Sequence, residues 1–285
     1  MTDNKPLNID IQSEIGQLES VLLHTPGAEV ENMTPKMAQR ALYSDILNLS
    51  IAQEEYAQLS GVLNKLAKVY TVSDLLVKVL DNDAERQALI GKICVMEQVT
   101  DYFDMLMDMS SSRLAKVLIE GLPAKINTLT SFLNEDYYAL FPLYNFYFTR
   151  DAAVTIGNNA LICKMANRVR TRESLIMEAI YKGSGEFNCG IINAYDYQPG
   201  NHDIYMEGGD ILIAREDILL LGNGVRTSTQ GIDLLASRLG AISPEGRRHI
   251  IVQQLPHKPE SFIHLDMVFT LLDKDKCMVF EPLIL

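Results

Sequence analysis

Apolar residues recur with a helical period over much of the chain before residue 140, and they form short separated runs after it. An apolar run at 18–24 predicts a buried strand. The Thr34-Pro35 pair predicts the start of a long helix, because proline suits the first helical position. Helix formers with a helical period fill 73–135, which predicts a helical subdomain with little strand.

After residue 140, a unit of two strands, a helix and a strand occurs twice. The first unit begins its hairpin at Asp151 and the second at Asp210, and in each a Val-Arg-Thr triplet precedes a helical pattern. A third hairpin begins at Asp266, after nearly the same interval, so the pattern is periodic. Small units that cannot bury their own faces suggest a ring of blades, and the alternative is an ordinary α/β sheet with an accidental likeness.

The third unit lacks a helix and a closing strand, and the sequence ends in the apolar run VFEPLIL. Because the ends of complete domains are usually polar and frayed, we expect an interrupted chain. The predicted division is a first propeller segment with a long helix at 1–72, a helical subdomain at 73–140, and propeller blades at 141–285 that are truncated in the last unit.

The composition is that of a soluble globular protein, with a formal net charge of −12 and a pI of about 4.9. This acidity argues against nucleic-acid binding, which needs a basic stripe, and against docking on anionic lipid. No apolar run approaches the length of a membrane span, and the N-terminus has no apolar region of a signal peptide. The four cysteines form no CxxC pair, so we expect reduced thiols and a cytoplasmic location.

Each unit carries an acid at or beside the start of its first strand. These acids are Asp151, Glu207, Asp210 and Asp266. In a radial arrangement the strand starts converge, and carboxylates brought together repel one another unless a cation lies among them. That cation could be a metal, or a guanidinium, whose planar fork matches carboxylates in bidentate pairs.

A histidine and three arginines accompany these acids. His264 lies two residues before Asp266, so on a strand the two side chains would point the same way. A histidine beside carboxylates can act as a general acid/base near neutral pH. Arg150, Arg170 and Arg226 could bind a carboxylate of the substrate.

The two complete units share an acid-to-arginine spacing. Arg170 follows Asp151 at the same distance in sequence as Arg226 follows Glu207. Taken singly, EGGD is usually a turn, HLD a strand end, and FTRD a strand terminus with a surface ion pair. Their occurrence at equivalent places in successive units favours a shared functional site.

The motifs SEIGQLESVLLHTPG, NFYFTRD, MEGGD, GNGVRTSTQG and HLDMVFTLLD follow one another in this order. In this combination the sequence resembles the arginine deiminases of the guanidine-modifying superfamily, from about Ser13 to the end of the chain. The resemblance implies a partial five-bladed α/β propeller of ββαβ repeats with an all-helical insertion. Two positions depart from the family pattern: Ala152 stands where proline is usual, and Ser44 replaces the first of two aspartates.

The resemblance also implies hydrolysis of L-arginine to L-citrulline and ammonia through a covalent cysteine intermediate, as in arginine catabolism. Asp151 and Asp266 would grip the guanidinium, Glu207 would stand beside them, and His264 would be the general acid/base. The positions that would shape the pocket or hold the rest of the substrate are Asn145, Phe148, Arg150, Arg170 and Arg226. Neither a metal nor an organic cofactor is implied, and we expect a homo-oligomer.

The family's nucleophilic cysteine lies in a glycine-rich loop near the end of a longer chain, and this sequence contains no such loop. Cys277 falls within a predicted strand, where a buried structural cysteine is expected. The chain alone is therefore expected to be inactive. The alternatives are an inactive arginine-binding remnant, and an amidinotransferase or dimethylarginine hydrolase of the same superfamily. The motif series and the helical insertion favour arginine deiminase.

Overall fold

The computed structural model describes residues 5–31, 33, 46–133, 137–196, 203–242, 249–258 and 262–283. The chain forms two compact units. The β-rich unit comprises Met1–Gln17, Arg150–Ser174 and Gly185–Leu285, and the helix-rich unit comprises Leu18–Thr149 and Leu175–Ser184. None of the helices in the described ranges has the length and apolar character that crossing a membrane requires.

The α-helices and strands are numbered here in chain order. The helices are α1 (Ala28–Glu31), α2 (Leu49–Leu66), α3 (Val72–Leu80), α4 (Asp83–Glu97), α5 (Phe103–Met107), α6 (Ser111–Glu120), α7 (Leu129–Leu133), α8 (Thr149–Ala152), α9 (Thr171–Gly183) and α10 (Thr229–Ile242). The strands are β1 (Leu7–Asn8), β2 (Ser20–Leu23), β3 (Lys68–Thr71), β4 (Leu122–Pro123), β5 (Tyr138–Leu140), β6 (Ala153–Ile156), β7 (Asn159–Ile162), β8 (Phe187–Asn188), β9 (Gly190–Asn193), β10 (Ile211–Arg215), β11 (Ile218–Asn223), β12 (His249–Gln254), β13 (Phe269–Asp273) and β14 (Lys276–Val279).

Two three-stranded sheets have the same topology, β6-β7-β9 and β10-β11-β12. In each sheet the first two strands form an antiparallel hairpin, and the third strand pairs in parallel with the second. A helix, α9 or α10, lies between the second and third strands, as a parallel pair requires. β13 and β14 form a third antiparallel hairpin. The predicted ββαβ repeat is confirmed in a mixed α/β fold, and the described residues show no closed sheet.

A single helical turn precedes the first strand of each hairpin. α8 leads into β6, the turn at Gly208–Asp210 leads into β10, and the turn at Leu265–Met267 leads towards β13. Each turn contains one of the predicted acids, Asp151, Asp210 or Asp266. FTRD, EGGD and HLD therefore occupy equivalent places in successive units.

Strand β2 lies within the run 18–24 that predicts a strand, and it pairs in parallel with β3 in the helix-rich unit. The helix between them, α2, begins at Leu49 behind the N-cap Asn48, whose side chain accepts a hydrogen bond from the Ile51 amide. The helix start predicted at Thr34-Pro35 lies outside the described residues.

Helices α3 to α7 make up most of the predicted helical subdomain. The apolar side chains of α3 and α6 recur at spacings that place them on one buried face. They are Val72, Leu75, Leu76, Val79 and Leu80 of α3, and Leu114, Ala115, Leu118 and Ile119 of α6. The expectation of an all-helical segment is wrong, because β4 and β5 pair antiparallel within it. Gly121, at a φ of 95°, turns the chain from α6 into β4.

The turn at Gly208–Asp210 needs glycine because other segments of the β-rich unit touch its backbone. A Cβ on Gly208 would lie 1.9 Å from the Arg150 carbonyl oxygen, far inside contact distance. A Cβ on Gly209 would lie 2.8 Å from Cγ of His264. The Gly-Gly pair of EGGD therefore lets this turn pack directly against the segments that carry FTRD and HLD.

We expect Gly208→Ala to destabilise the protein by about 1–3 kcal/mol, the usual cost of overpacking, because the Arg150 backbone would have to move. Gly240→Ala is the matched control. Gly240 lies in α10 with nothing within 4 Å of an added Cβ, so alanine there should stabilise the helix by about 0.5–1 kcal/mol. Urea denaturation measures both variants, and wild-type stability of Gly208→Ala would contradict the close approach.

Candidate active site

Three side chains from three separate turns meet inside the β-rich unit. They are Asp151 of α8, Glu207, which precedes the turn at Gly208–Asp210, and His264, which precedes the turn at Leu265–Met267. Nε2 of His264 lies 3.0 Å from Oε2 of Glu207, and its Nδ1 lies 3.8 Å from Oδ1 of Asp151. All three residues are buried. The structure thus brings together three of the residues predicted from the sequence, with the imidazole facing both carboxylates.

Arg170 supplies a positive charge to these carboxylates. Its Nη1 donates to Oδ2 of Asp151 at 2.7 Å and lies 3.7 Å from Oε2 of Glu207. Its Nε and Nη2 donate to Glu173, three residues further along the chain. Burial disfavours the charged form of Arg170, but Glu173 and Asp151 raise its pKa above the ordinary value. Arg170 therefore stays charged and holds Asp151 in one orientation.

Arg226 approaches Glu207 with Nη1 at 3.5 Å from Oε1. The acid-to-arginine spacing that occurs twice in the sequence thus corresponds to two ion pairs, Arg170 with Asp151 and Arg226 with Glu207. The cations among these carboxylates are guanidinium groups of the chain itself. Asp151, Glu207 and His264 also have possible ligand atoms within 4.8 Å of one another, and Arg170 and Arg226 adjoin the two carboxylates.

Glu207 is held from several sides and is fully buried. Its Oε1 accepts a hydrogen bond from the Ala166 amide at 3.1 Å, and its own amide donates to Oγ1 of Thr227 at 3.2 Å. Burial disfavours the carboxylate, but the hydrogen bond with His264 and the two arginines lower the pKa of Glu207. Its contribution to stability is complete above its pKa in the unfolded chain, and it is lost as the pH falls through the lowered pKa.

His264 is protonated over a wider pH range than an ordinary histidine. Burial disfavours its charge, but the hydrogen bond with Glu207 and the charges of Asp151 and Asp210 raise its pKa. In the protonated ring both nitrogens donate, which suits a carboxylate on each side. The contribution of His264 to stability is complete below its pKa in the unfolded chain, and it is lost as the pH rises through the raised pKa.

Asp266 is exposed, whereas Asp151, Glu207 and His264 are buried. The strand geometry expected for His264 and Asp266 is wrong, because Leu265–Met267 is a helical turn and residues two apart on such a turn do not share a face. Partial desolvation of the carboxyl raises the pKa of Asp266, the charge of His264 opposes this rise, and Asp151 adds to it. Asp266 therefore remains close enough to His264 and Asp151 to experience their charges.

Arg150 joins three segments of the β-rich unit. Its Nη1 and Nη2 donate to Oε2 and Oε1 of Glu14 at 3.2 and 2.7 Å. Its Nε and Nη2 donate to the carbonyl oxygens of Gly208 and Ile211. Oε1 of Glu14 also accepts from the Ile213 amide at 2.8 Å. Arg150 thus ties the N-terminal segment to the EGGD turn and to β10, and sequence reasoning gave no role to Glu14.

Asn145 and Phe148 belong to the helix-rich unit. Asn145 is buried, and its carbonyl oxygen accepts a hydrogen bond from the Phe148 amide at 3.0 Å. Phe148 is exposed, with its ring centroid 4.2 Å from that of Tyr147. Their part in a substrate pocket stays a prediction.

A family model described as arginine deiminase matches residues 39–284. The chain belongs to the arginine deiminase family. An arginine deiminase of Latilactobacillus sakei is 35% identical over 283 residues, which cover 94% of this chain and 68% of the relative. One of Levilactobacillus brevis is 33% identical over 290 residues, which cover 95% and 69%. The family predicted from the motif series is confirmed.

Two solved structures share the fold of this arginine deiminase family member. DDAH from Pseudomonas aeruginosa, complexed with citrulline, has a TM-score of 0.51 at 13% identity, covering 93% of this chain and 70% of that one. The N-terminal domain of ArgZ, bound to a reaction intermediate, has a TM-score of 0.52 at 16% identity, covering 93% and 67%. At these identities the likeness shows the mixed α/β fold alone.

The thiols of Cys94, Cys163 and Cys189 in this arginine deiminase family member have raised pKa values. Burial raises the pKa of Cys94 and of half-buried Cys189, and it raises that of fully buried Cys163 well above the ordinary value. Cys277 lies in β14, on a strand as predicted, but the expectation that it is buried is wrong. Every residue of β14 is exposed, because the described residues place nothing over this strand.

We expect Glu207→Gln to lower the pKa of His264, because an amide lacks the negative charge that favours the protonated ring. Asp217→Asn is the control, since Asp217 is an acid of the same unit that pairs with exposed Arg215. NMR titration of the histidine Cε1 protons measures the shift, and a His264→Gln spectrum assigns the resonance among the five histidines. An unchanged or higher pKa in Glu207→Gln would rule out this pairing.

Proposed function

We propose that this site takes part in the hydrolysis of L-arginine to L-citrulline and ammonia. The observation that carries the proposal is the buried contact of His264 with Glu207 at 3.0 Å and with Asp151 at 3.8 Å, in a chain of the arginine deiminase family. An imidazole held between two carboxylates keeps its proton near neutral pH and can give it up to a reacting nitrogen.

The proposed reaction has two steps of covalent catalysis. A cysteine thiolate attacks the guanidinium carbon, one C–N bond breaks, and the departing ammonia takes a proton from His264. Neutral His264 then removes a proton from water, whose oxygen attacks the same carbon, and the C–S bond breaks to release citrulline and the thiolate. Asp151 and Asp266 would grip the guanidinium, and Glu207 would hold the imidazole for both proton transfers.

We propose that the thiolate comes from a part of the family's longer chain that has no counterpart in these 285 residues. The chain matches 68% of the length of the Latilactobacillus sakei relative. Burial keeps the thiols of Cys94 and Cys163 protonated near neutral pH. Cys277 lies on an exposed hairpin strand and not in a glycine-rich loop.

Arg226 is our preferred residue for the substrate's α-carboxylate. Among the described residues its one ionic contact is the 3.5 Å approach to Glu207, so most of its donors remain available. Arg170 is engaged with Glu173 and Asp151, and Arg150 with Glu14, so these two would shape the pocket. The roles of Asn145 and Phe148, the propeller arrangement of the units, the homo-oligomeric state and the cytoplasmic location belong to the same proposal.

Citrulline assays on two proteins test this function. We expect no turnover by the 285-residue chain alone, and turnover by a chimera that joins it to the part of the Latilactobacillus sakei relative that it does not match. Calorimetric titration with L-arginine on both proteins separates binding from catalysis. Arginine binding without turnover by the chimera would favour an inactive arginine-binding protein, and robust turnover by the chain alone would assign the reaction to one of its four cysteines.

We expect Asp266→Ala and Asp151→Ala to differ in the chimera. Asp266 is exposed, so its loss should change stability by less than about 0.5 kcal/mol. Loss of Asp151 removes a buried partner of Arg170, and a hydrogen bond between charged groups contributes about 1.5–3 kcal/mol. Both variants should lower kcat/KM by about 100-fold or more, as losses of preorganised electrostatic contacts do.

Melting temperature and citrulline formation measure the two effects separately. Asp273→Ala, which removes an exposed acid of β13, is the control for both. Near-normal kcat/KM in either site variant would remove that residue from the proposed site.

A further inference from the structure

Asp210 is a buried acid to which the proposed reaction gives no role. It ends the turn at Gly208–Asp210, three residues after Glu207, and it is completely shielded from solvent. A buried ionisable group is costly unless its hydrogen bonds compensate for the lost water. The contacts of Asp210 lead to the segment that carries His264.

Oδ1 of Asp210 accepts a hydrogen bond from the backbone amide of Leu265 at 2.9 Å. This amide shares a rigid peptide plane with the carbonyl group of His264, so the bond fixes the backbone next to the imidazole. Leu265 is also the first residue of a helical turn, where amides lack partners within the turn, and the side chain of His264 does not cap them. Asp210 therefore caps the HLD turn from a segment 55 residues away in sequence.

Strand β11 leaves space for the carboxyl group of Asp210. A Cβ on Gly222 would lie 2.2 Å from Oδ1 of Asp210 and 3.1 Å from Cβ of Leu265. Even the smallest side chain at this place would push the carboxyl group away from the Leu265 amide. The hydrogen bond thus depends on a glycine in the neighbouring strand as well as on the acid.

The second oxygen, Oδ2, has no hydrogen-bond partner among the described residues. Burial raises the pKa of Asp210 to about 7, and the charge of His264 and the nearby Thr227 hydroxyl oppose this rise. The Thr227 oxygen accepts from the Glu207 amide and makes no hydrogen bond of good geometry with Oδ2. An apolar residue at position 210 could therefore not accept the hydrogen bond that the Leu265 amide donates to Asp210.

We propose that Asp210 is a positioning residue, which acts through the Leu265 amide to hold His264 against Glu207 and Asp151. Its effect on catalysis rests on the proposed function, since His264 is the residue that would move protons. The positioning itself is a property of the fold and exists without turnover.

Two variants of the 285-residue chain separate the hydrogen bond from the charge. Asp210→Asn keeps an oxygen that can accept from Leu265, whereas Asp210→Ala removes the acceptor. Loss of a hydrogen bond to a charged group should speed hydrogen exchange of the Leu265 amide by about tenfold or more in Asp210→Ala, and Asp210→Asn should stay close to wild type. The amides of β11 report whether the whole unit has opened instead.

The pKa of His264, from NMR titration, is the second readout. Both variants lower it by removing the charge of Asp210, but Asp210→Ala should lower it further, because the ring also loses its alignment with Glu207. Asp273→Ala is the matched control, since it removes an exposed carboxylate that accepts from the Lys274 amide. It should change neither readout.

Gly222→Ala is the alternative variant if Asp210→Ala does not fold. Its Cβ should displace the carboxyl group and speed Leu265 exchange while Asp210 itself is intact. Equal Leu265 exchange and equal His264 pKa values in Asp210→Asn and Asp210→Ala, or wild-type exchange in Gly222→Ala, would overturn the inference. Neither readout needs turnover, so a chimera that forms no citrulline would refute the proposed function and leave this result standing.

Discussion

Compensation of buried carboxylates by cations of the same chain is the constraint on which the site depends. Uncompensated charges in a protein interior cost several kcal/mol each, by order of magnitude. Asp151 and Glu173 share Arg170, while Glu207 meets Arg226 and protonated His264. The arginines occur in Val-Arg-Thr triplets just before α9 and α10. In each complete unit, the arginine just before the helix thus pairs with the acid at or beside the start of the first strand. These pairs are Arg170 with Asp151 and Arg226 with Glu207.

The one-turn helices at the strand starts fix the positions of these charged groups. Asp151 lies on one of these turns, and Glu207 and His264 come directly before the other two. Gly208 and Gly209 then allow backbone contact with the segments of Arg150 and His264, which side chains would block. Catalytic groups need such support, because errors of a fraction of an ångström weaken proton transfer. The glycines of EGGD are therefore needed for the close approach of these segments.

Local patterns in the sequence predicted the hairpins, the helices between them and the paired acids and arginines, because each depends on residues within one repeat. The contact between Arg150 and Glu14 spans 136 residues, and no periodicity reports such a distance. Glu173 had a local signal that was overlooked, since it lies three residues after Arg170. Asp266 points outward because a helical turn occupies the place of the expected strand. Cys277 was expected to be buried, but the burial of a strand residue depends on which other segments cover the strand.

Under the proposed function, a substrate guanidinium has to enter a site whose buried charges already balance. Asp266 adds an exposed carboxylate. Asp210 adds a partly protonated acid that accepts a hydrogen bond from the Leu265 amide. Asp266 would be accessible to an incoming arginine, whereas Asp151 and Glu207 are buried. The positive charge of that arginine would lower the pKa of Asp266 and Asp210 and also favour loss of the proton from His264. Substrate binding would thus shift His264 towards proton donation, which is what the departure of ammonia requires.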